Sequence, residues 1–323
     1  MRIGNLPERV YSRSVERIVH KYNKDKGTAC KTAGCTLLCI KSGHLSGDIS
    51  VIGMELRLLI DQIWIEACSI STNKPSGLQA LISIPEALEE QELRDIIAGL
   101  VEVADEKDLF INQVVVDTDP ELKTSKLVLA LLGEGLRENS VELGNEKRCI
   151  VQIGYLADST SKYIATKTGE SLRERYSAAY VRRMQGYETS ATSFSWEIVK
   201  KIAEYGQIYG VGEGGIFATL WNLAEKNKSG LNCDLKKIII RQETIEVCDF
   251  LDLNPYLLFG GNCILVVADD FDDIVRAIGD FDCPVSLVGY LTSGNDRVII
   301  NQDEERFLTE PLMDEVYKLI KEK

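Results

Sequence analysis

Four glycines fall within the six residues Gly210-Val211-Gly212-Glu213-Gly214-Gly215. A segment with helical spacing follows at once, its apolar side chains Ile216, Phe217, Leu220, Trp221 and Ala224 lining one face. Glycine lets the backbone turn tightly and come close to another group. A glycine loop that runs into a helix start offers free N–H groups and the positive end of the helix dipole, a setting for phosphate or a carboxylate. Gly212, Glu213, Gly214 and Gly215 are therefore candidate phosphate-binding residues. Gly210, Gly212 and Gly215 also satisfy G-x-G-x-x-G. A dinucleotide fold needs a strand before that pattern and an acid ending the next strand, about 20 residues on. Asp234 stands near that distance but ahead of the strand-like Lys237-Ile238-Ile239-Ile240, and Trp196 to Tyr205 has helical spacing. The pattern is thus read as a helix-capping turn or a phosphate loop rather than a dinucleotide fingerprint.

Other chemistry-bearing residues are sparse. Cys30, Cys35 and Cys39 are the densest group of nine cysteines, and their spacing matches no zinc knuckle. Cys39 lies in the apolar run Cys35-Thr36-Leu37-Leu38-Cys39-Ile40, where a thiol acts as a small hydrophobe. The two histidines, His20 and His44, supply neither a metal centre nor a triad. An odd number of scattered cysteines points to a reducing, cytoplasmic compartment. The N-terminus lacks a signal-peptide layout, and no apolar run approaches the roughly 20 residues of a membrane span. The net charge of −13 argues against nucleic acid or an anionic membrane as partner. It leaves ATP open, because backbone amides and Mg²⁺ can meet phosphate charge.

Elements that would position these residues follow from periodicity. The spacing predicts a helix over 7–23, a loop over 24–34, a strand over 35–41, a mostly helical stretch over 50–71 and a turn at 73–77. A strand over 78–84, a helix over about 89–107 and strands at 113–116 and 126–133 follow. Glu89, Glu90 and Glu92 sit where a helix dipole favours acids. The polar stretch 134–149 marks a boundary, giving domains 1–140 and 141–323. Beyond it come a strand over 149–155, helices over 158–186 and 196–205, and the glycine loop. Then follow a helix over 216–227, a strand over 237–240, a helix over 243–251, a strand over 263–268, a helix over 270–279, a strand over 285–290 and a last helix over 310–322. No internal repeat is present.

The segments Glu213-Gly214-Gly215-Ile216, Leu220-Trp221-Asn222-Leu223-Ala224-Glu225 and Ile240-Arg241-Gln242-Glu243-Thr244 carry a resemblance. So do Val247-Cys248-Asp249-Phe250-Leu251-Asp252-Leu253-Asn254-Pro255, Gly260-Gly261-Asn262-Cys263-Ile264-Leu265-Val266-Val267 and Val288-Gly289. In this order and spacing they resemble the C-terminal domain of the aminoimidazole ribonucleotide (AIR) synthase superfamily. The branch in view is that of hydrogenase maturation factors acting as ATP-dependent carbamoyl dehydratases. Met1-Arg2-Ile3-Gly4-Asn5-Leu6 and Leu81-Ile82-Ser83-Ile84-Pro85-Glu86 extend the resemblance into the N-terminal half. It implies an α+β fold of two domains, the first a mixed α/β domain whose strands form a dimer sheet or barrel. It also implies ATP and Mg²⁺ as cofactors, a homodimer, and phosphoryl transfer to a carbonyl or amide-like oxygen.

The resemblance assigns Asp117 and Thr118 to the turn after a strand, with Asp117 and Glu213 as metal candidates. Most carboxylates the family uses have no counterpart. Its Asp-x-Thr-Glu-Gly-Gly loop has Gly210 and Gly212 in place of Asp and Thr; its Asn-Asp pair falls on Glu66 and Ala67; its next aspartate falls on Gly43. The branch's terminal carbamoyl-carrying cysteine has no counterpart in residues 284–323. Asp48, Asp61 and Glu66 are the nearby acids that could substitute. Unbalanced phosphate charge in a closed site is costly. The expectation is a dimeric binding or assembly protein with a degenerate nucleotide site. The alternatives are an ATP-dependent enzyme of the hydrogenase-maturation type with relocated ligands, and a site for a small carboxylate or phosphate without metal.

Overall fold

Helical spacing and strand alternation carry over into the first half of the chain with few departures. The computed structural model describes residues 4–26, 35–45, 51–136, 148–186, 194–279, 281–302, 304–310 and 313–321. Its contacts divide the chain into two units, Met1–Arg137 and Glu138–Lys323.

The first unit opens with β1 (Gly4–Asn5). The helix expected over 7–23 runs on in three stretches: α1 (Glu8–Tyr11), a π-helical turn (Ser12–Glu16) and α2 (Arg17–Lys26). Most of the expected loop over 24–34 lies outside the described residues. Then come β2 (Thr36–His44), α3 (Ile52–Ile70), β3 (Gly77–Pro85), α4 (Glu90–Glu106), β4 (Phe110–Asp119) and β5 (Lys126–Gly133). The α4 start is secured as its acids suggested: the Glu89 N–H donates to the Glu92 carboxylate at 2.7 Å.

The strands form one mixed sheet in the order β1-β4-β3-β5-β2, with only β3 and β4 parallel. Alternation gives the sheet two different faces. Leu78, Ala80, Ile82 and Ile84 of β3, with Val114 and Val116 of β4 and Leu127, Leu129 and Leu131 of β5, are buried. So are Leu56, Ile60 and Ile63 of α3 and Ile96, Ile97 and Leu100 of α4, the helices that pack on this sheet. On the other face Leu37 is 53 %, Ile40 61 %, Leu81 41 % and Val115 40 % exposed. Register places Val115, Leu81 and Val128 in one row across that face.

The second unit departs more from the sequence reading. β6 (Cys149–Ile153) falls as expected. The single helix expected over 158–186 is instead α5 (Asp158–Lys167), α6 (Gly169–Leu172) and α7 (Ala178–Met184). Thr168 leaves helical geometry at φ −108°, and the Ser177 hydroxyl restarts the helix by accepting from the Tyr180 N–H. The expected helix over 196–205 stops early, as α8 (Trp196–Ile202), and β7 (Gly206–Gly210) follows where no strand was foreseen.

Next come α9 (Gly215–Asn227), β8 (Gly230–Asp234), α10 (Gln242–Phe250), β9 (Ile264–Ala268), α11 (Phe271–Ile278), β10 (Val285–Thr292), β11 (Arg297–Asn301) and β12 (Glu304–Phe307). The expected strand over 237–240 is not one. Leu235–Lys237 is a 3₁₀ turn, and Ile239 pairs with the buried Gln152 side chain, donating to its Oε1 and accepting from its Nε2, both at 2.9 Å. An amide side chain thus supplies what a neighbouring strand would. The last helix, expected over 310–322, begins only at Glu315, as a 3₁₀ turn (Glu315–Tyr317) and α12 (Lys318–Lys321).

The second sheet runs β12-β11-β8-β10-β6-β9-β7, antiparallel except for β8 with β11. β7 and β8 flank the G-x-G-x-x-G helix, and Asp234 does end β8, but three other strands separate the two. A dinucleotide crossover joins neighbouring parallel strands, so topology rules that fingerprint out here. The helix α9 is seated by Ile216, Leu220, Leu223 and Ala224, all fully buried. Ile216→Ala should cost about 2–5 kcal/mol, the range for emptying a buried aliphatic site. Urea unfolding should show a lower midpoint with an unchanged slope.

Candidate functional site

The glycine loop begins where β7 ends. Val211 continues the strand's bonding, its N–H donating to the Cys263 carbonyl at 3.0 Å. Gly214 (φ +77°) and Gly215 (φ +68°) then take left-handed backbone in succession, with Gly214 as the N-cap of α9. Only glycine adopts this geometry freely. Space demands glycine too: a Cβ on Gly215 would collide with the Tyr256 carbonyl oxygen and lie 2.8 Å from that of Leu258. The 255–258 backbone therefore passes directly over the helix start. Phe217 and Tyr256 stack beside this crossing, their ring centroids 5.3 Å apart.

The N–H at this helix start already holds an anion, and it comes from the chain itself. Gly214 donates its N–H to Asp314 Oδ2 at 2.7 Å. The other oxygen, Oδ1, accepts from the Val316 N–H at 2.9 Å, and the Phe259 N–H adds a third backbone donor. Asp314 is 1 % exposed. Burial pushes its carboxyl up to about 6, and the Glu213 charge adds to that rise, while the three N–H donors pull it down. One turn on, the Tyr317 hydroxyl hydrogen-bonds the Glu213 carboxylate, and burial with that charge pushes the phenol up to about 12. The Asn254 N–H donates to Glu315 at 3.4 Å, and Lys318 pairs with Glu315. Residues Asp314–Tyr317 thus form a strap over the loop.

Asp117 and Thr118 stand in the first unit near the end of β4, between Ser83–Ile84 of β3 and Gly4–Asn5 of β1. Asp117 Oδ1 and Thr118 Oγ1 are buried and make no hydrogen bond. The alternative acids are otherwise engaged. Asp61 is buried and paired with Lys107 at 2.6 Å. Glu66 is raised by burial and faces Lys41 and Gln62. Asp48 lies outside the described residues. Among those residues no group of three His, Cys, Asp or Glu side chains could hold a metal ion. Gly212 is buried, and its carbonyl accepts from the Gly215 N–H. The residues of this loop therefore do not fit Mg-ATP in this conformation: Gly214 is occupied and Glu213 is tied.

The cysteines behave as packing residues. Burial pushes Cys39, Cys233 and Cys248 up to about 12, and Cys149 and Cys283 up to about 11. Such thiols are poor nucleophiles and ligands. Cys30 lies outside the described residues. Asp314 and Tyr317 are the site residues that the sequence reading missed. An aspartate before Glu315-Val316 reads as a helix cap, which it is, but nothing local signals a partner 100 residues away.

No family model matches the chain. It is 22% identical over 272 residues to a protein of Methanocaldococcus jannaschii, provisionally named a hydrogenase expression/formation protein, covering 80% of this chain and 76% of that one. Solved structures share its fold, three of them as follows. A hydrogenase maturation protein HypE in complex with ATP matches with a TM-score of 0.66 at 15% identity over 95% of each chain. The HypE of E. coli matches with a TM-score of 0.65 at 12% identity, over 94% of this chain and 99% of that one. AaThiL, complexed with AMPPCP and TMP, matches with a TM-score of 0.63 at 16% identity, over 87% of this chain and 86% of that one. The fold is thus the α+β, two-unit fold of the AIR synthase-like proteins that the sequence resembles. No helix among the described residues is long and apolar enough to cross a membrane.

A carboxyl raised in the folded state favours that state when protonated. Asp314 thus contributes stability that is fully present below its unfolded value near 4 and is lost as pH rises through about 6. Asp314→Asn should remove that contribution to the pH dependence. The difference in urea midpoint between wild type and variant, followed from pH 4.5 to 7.5, should change by the equivalent of about 1–3 kcal/mol. A constant difference would contradict the assignment.

Proposed function

We propose that this chain is a divergent relative of the hydrogenase maturation proteins, working as a homodimeric binding or assembly protein in the cytoplasm rather than as a Mg-ATP enzyme. The observation that carries the reading is the state of the family's metal candidate: Glu213 is bonded to Tyr317 and, among the described residues, belongs to no group of three side chains that could hold a metal ion. In this reading 1–140 and 141–323 are the N- and C-terminal AIR synthase-like domains. A role in assembly is supported by the fold it shares with a HypE solved in a HypE-HypF complex, at a TM-score of 0.60 and 15% identity.

The open face of the first sheet supports a dimer. Leu37, Ile40, Leu81 and Val115 expose apolar surface on one face of a single sheet, with β5 lying between β2 and β3, and an apolar face of this kind marks an interaction site. A second copy presents the same face and would bury it symmetrically. Wild type should run as a dimer in light scattering after size exclusion, and Leu81→Lys with Val115→Lys should shift it to monomer. A monomeric wild type would refute the dimer.

The second reading is an ATP-dependent enzyme that activates a carbonyl or amide oxygen by phosphoryl transfer. Asp117 Oδ1 and Thr118 Oγ1 favour it, since buried polar atoms without partners invite a ligand. Thermal unfolding with ATP, with and without Mg²⁺, separates the two. Native-state binding at a hundredfold excess over Kd adds about 2.7 kcal/mol. The binding or assembly reading expects no Mg²⁺-dependent shift at millimolar ATP. A clear shift abolished by Asp117→Asn would overturn the expectation of no Mg-ATP binding and favour the enzyme reading.

A further inference from the structure

We infer that the outer face of the helical stretch 8–26, with the groove it forms against α4, is a docking surface for an acidic, amphipathic segment of a partner protein. The surface involves neither the open sheet face nor the glycine loop, so it goes beyond the readings above. All of it lies within the first unit.

The stretch holds six Lys or Arg against three acids, in a chain whose net charge is −13. Arg9, Arg13, Arg17 and Lys21 recur at every fourth residue and Lys24 follows; all five are exposed. In a plain α-helix a step of four overshoots the turn of 3.6 residues, so such a row winds slowly round the axis. The π turn Ser12–Glu16 falls in the middle of this row. Its bonds close one residue later, and the wider turn counters the winding. The basic row is thereby kept on one side of the helix. Of the five, Arg13 pairs with Glu90, whereas Arg9, Arg17, Lys21 and Lys24 pair with no acid among the described residues. Like charges at this spacing repel, so helix stability does not account for the row.

The inner face is committed to the sheet. The Tyr11 and Tyr22 hydroxyls donate to the Val114 and Leu109 carbonyls, both at 2.5 Å. The Asn23 amide pairs with the Ile111 backbone in both directions, at 2.8 and 3.2 Å. These contacts hold the helix against β4 and keep the basic row outward. Beside the row lies a groove of about 910 Å³ between α2 and α4, floored by Ile18, Tyr22, Ala98 and Val101. The acids on its α4 wall, Glu102 and Asp105, already meet Arg57 and Lys26. Arg17 and Lys21 on the α2 wall meet none. The complement is a segment with apolar side chains for the floor and carboxylates for the row. From Arg9 to Lys24 the row spans about 22 Å, some four helical turns. A phosphate polymer offers no apolar side to the floor, and the chain's overall negative charge opposes it beyond the immediate contact.

The test uses the full-length chain and a displayed library of random peptides of about 15 residues, matched to the length of the row. Peptides selected on wild type should be rich in Asp and Glu, with apolar residues three and four apart. Their synthetic copies should bind more weakly as salt rises. Arg9→Glu with Arg17→Glu and Lys21→Glu should weaken that binding by about tenfold or more. Ala98→Trp, which fills the groove without changing charge, should weaken it as well. Lys200→Glu with Lys236→Glu and Lys237→Glu makes the same charge change on the second unit and should leave binding intact. The charge-reversed row should not lower the thermal midpoint, since it breaks no ion pair; a structural row would lower it. The inference is overturned if no acidic peptide is selected, if either first-unit variant binds the peptides as wild type does, or if the second-unit control weakens binding equally. Binding of phosphatidylserine vesicles or single-stranded DNA through the same residues, in place of acidic peptides, would overturn it too and assign the surface to a polyanion.

Discussion

The passage of the 255–258 backbone over Gly215 is the constraint on which the second unit's candidate site depends. Two chain segments can approach this closely only where one lacks a Cβ and can hold positive φ. That contact sets where α9 begins. It also brings the Phe259 N–H, a few residues on, to the same carboxylate that the Gly214 N–H holds. Asn254 shapes the start of the crossing, its side chain accepting from the Tyr256 N–H at 3.0 Å while its own N–H meets Glu315. The motif Leu253-Asn254-Pro255 is in this light a piece of backbone architecture supporting the loop.

Electrostatics then decide what the loop does. A helix start is an anion site whichever anion arrives, and an aspartate on the same chain has a very high effective concentration. Its burial is unfavourable for a charge, and Glu213 nearby makes it more so, as the upward displacement of the Asp314 carboxyl records. The backbone donors offset that cost without removing it. The arrangement is a buried carboxylate whose charge is held by backbone donors rather than by a cation.

Much of the fold was legible. Long, strongly patterned stretches such as 52–70, 77–85, 90–106 and 215–227 declared themselves through apolar spacing, and burial follows that spacing. What escaped was short or supported from elsewhere. β7 has three informative residues between two glycines, and β8 carries Asn232 and Asp234 among its five. Lys237-Ile238-Ile239-Ile240 looks like a strand because it is extended and apolar, yet its partner is the Gln152 amide. The long charged run 158–186 breaks at Thr168 and Ser177, where hydroxyl residues compete for backbone bonds.

The amino-acid sequence alone determined the element types of the long segments, the glycine-rich turn of Gly212–Gly215 into a helix start, and the absence of the family's Asp and Thr at Gly210 and Gly212. Each is a local property, readable from composition and spacing. Tertiary structure decided which anion the loop meets, because Asp314 is 100 residues from Gly214 and no periodicity links them. It also decided that β7 and β8 are not neighbours, which removes the dinucleotide reading, and that Leu37, Ile40, Leu81 and Val115 share one open face. Strand order and long-range hydrogen bonds arise from how distant segments pack, and packing is a property of the whole chain.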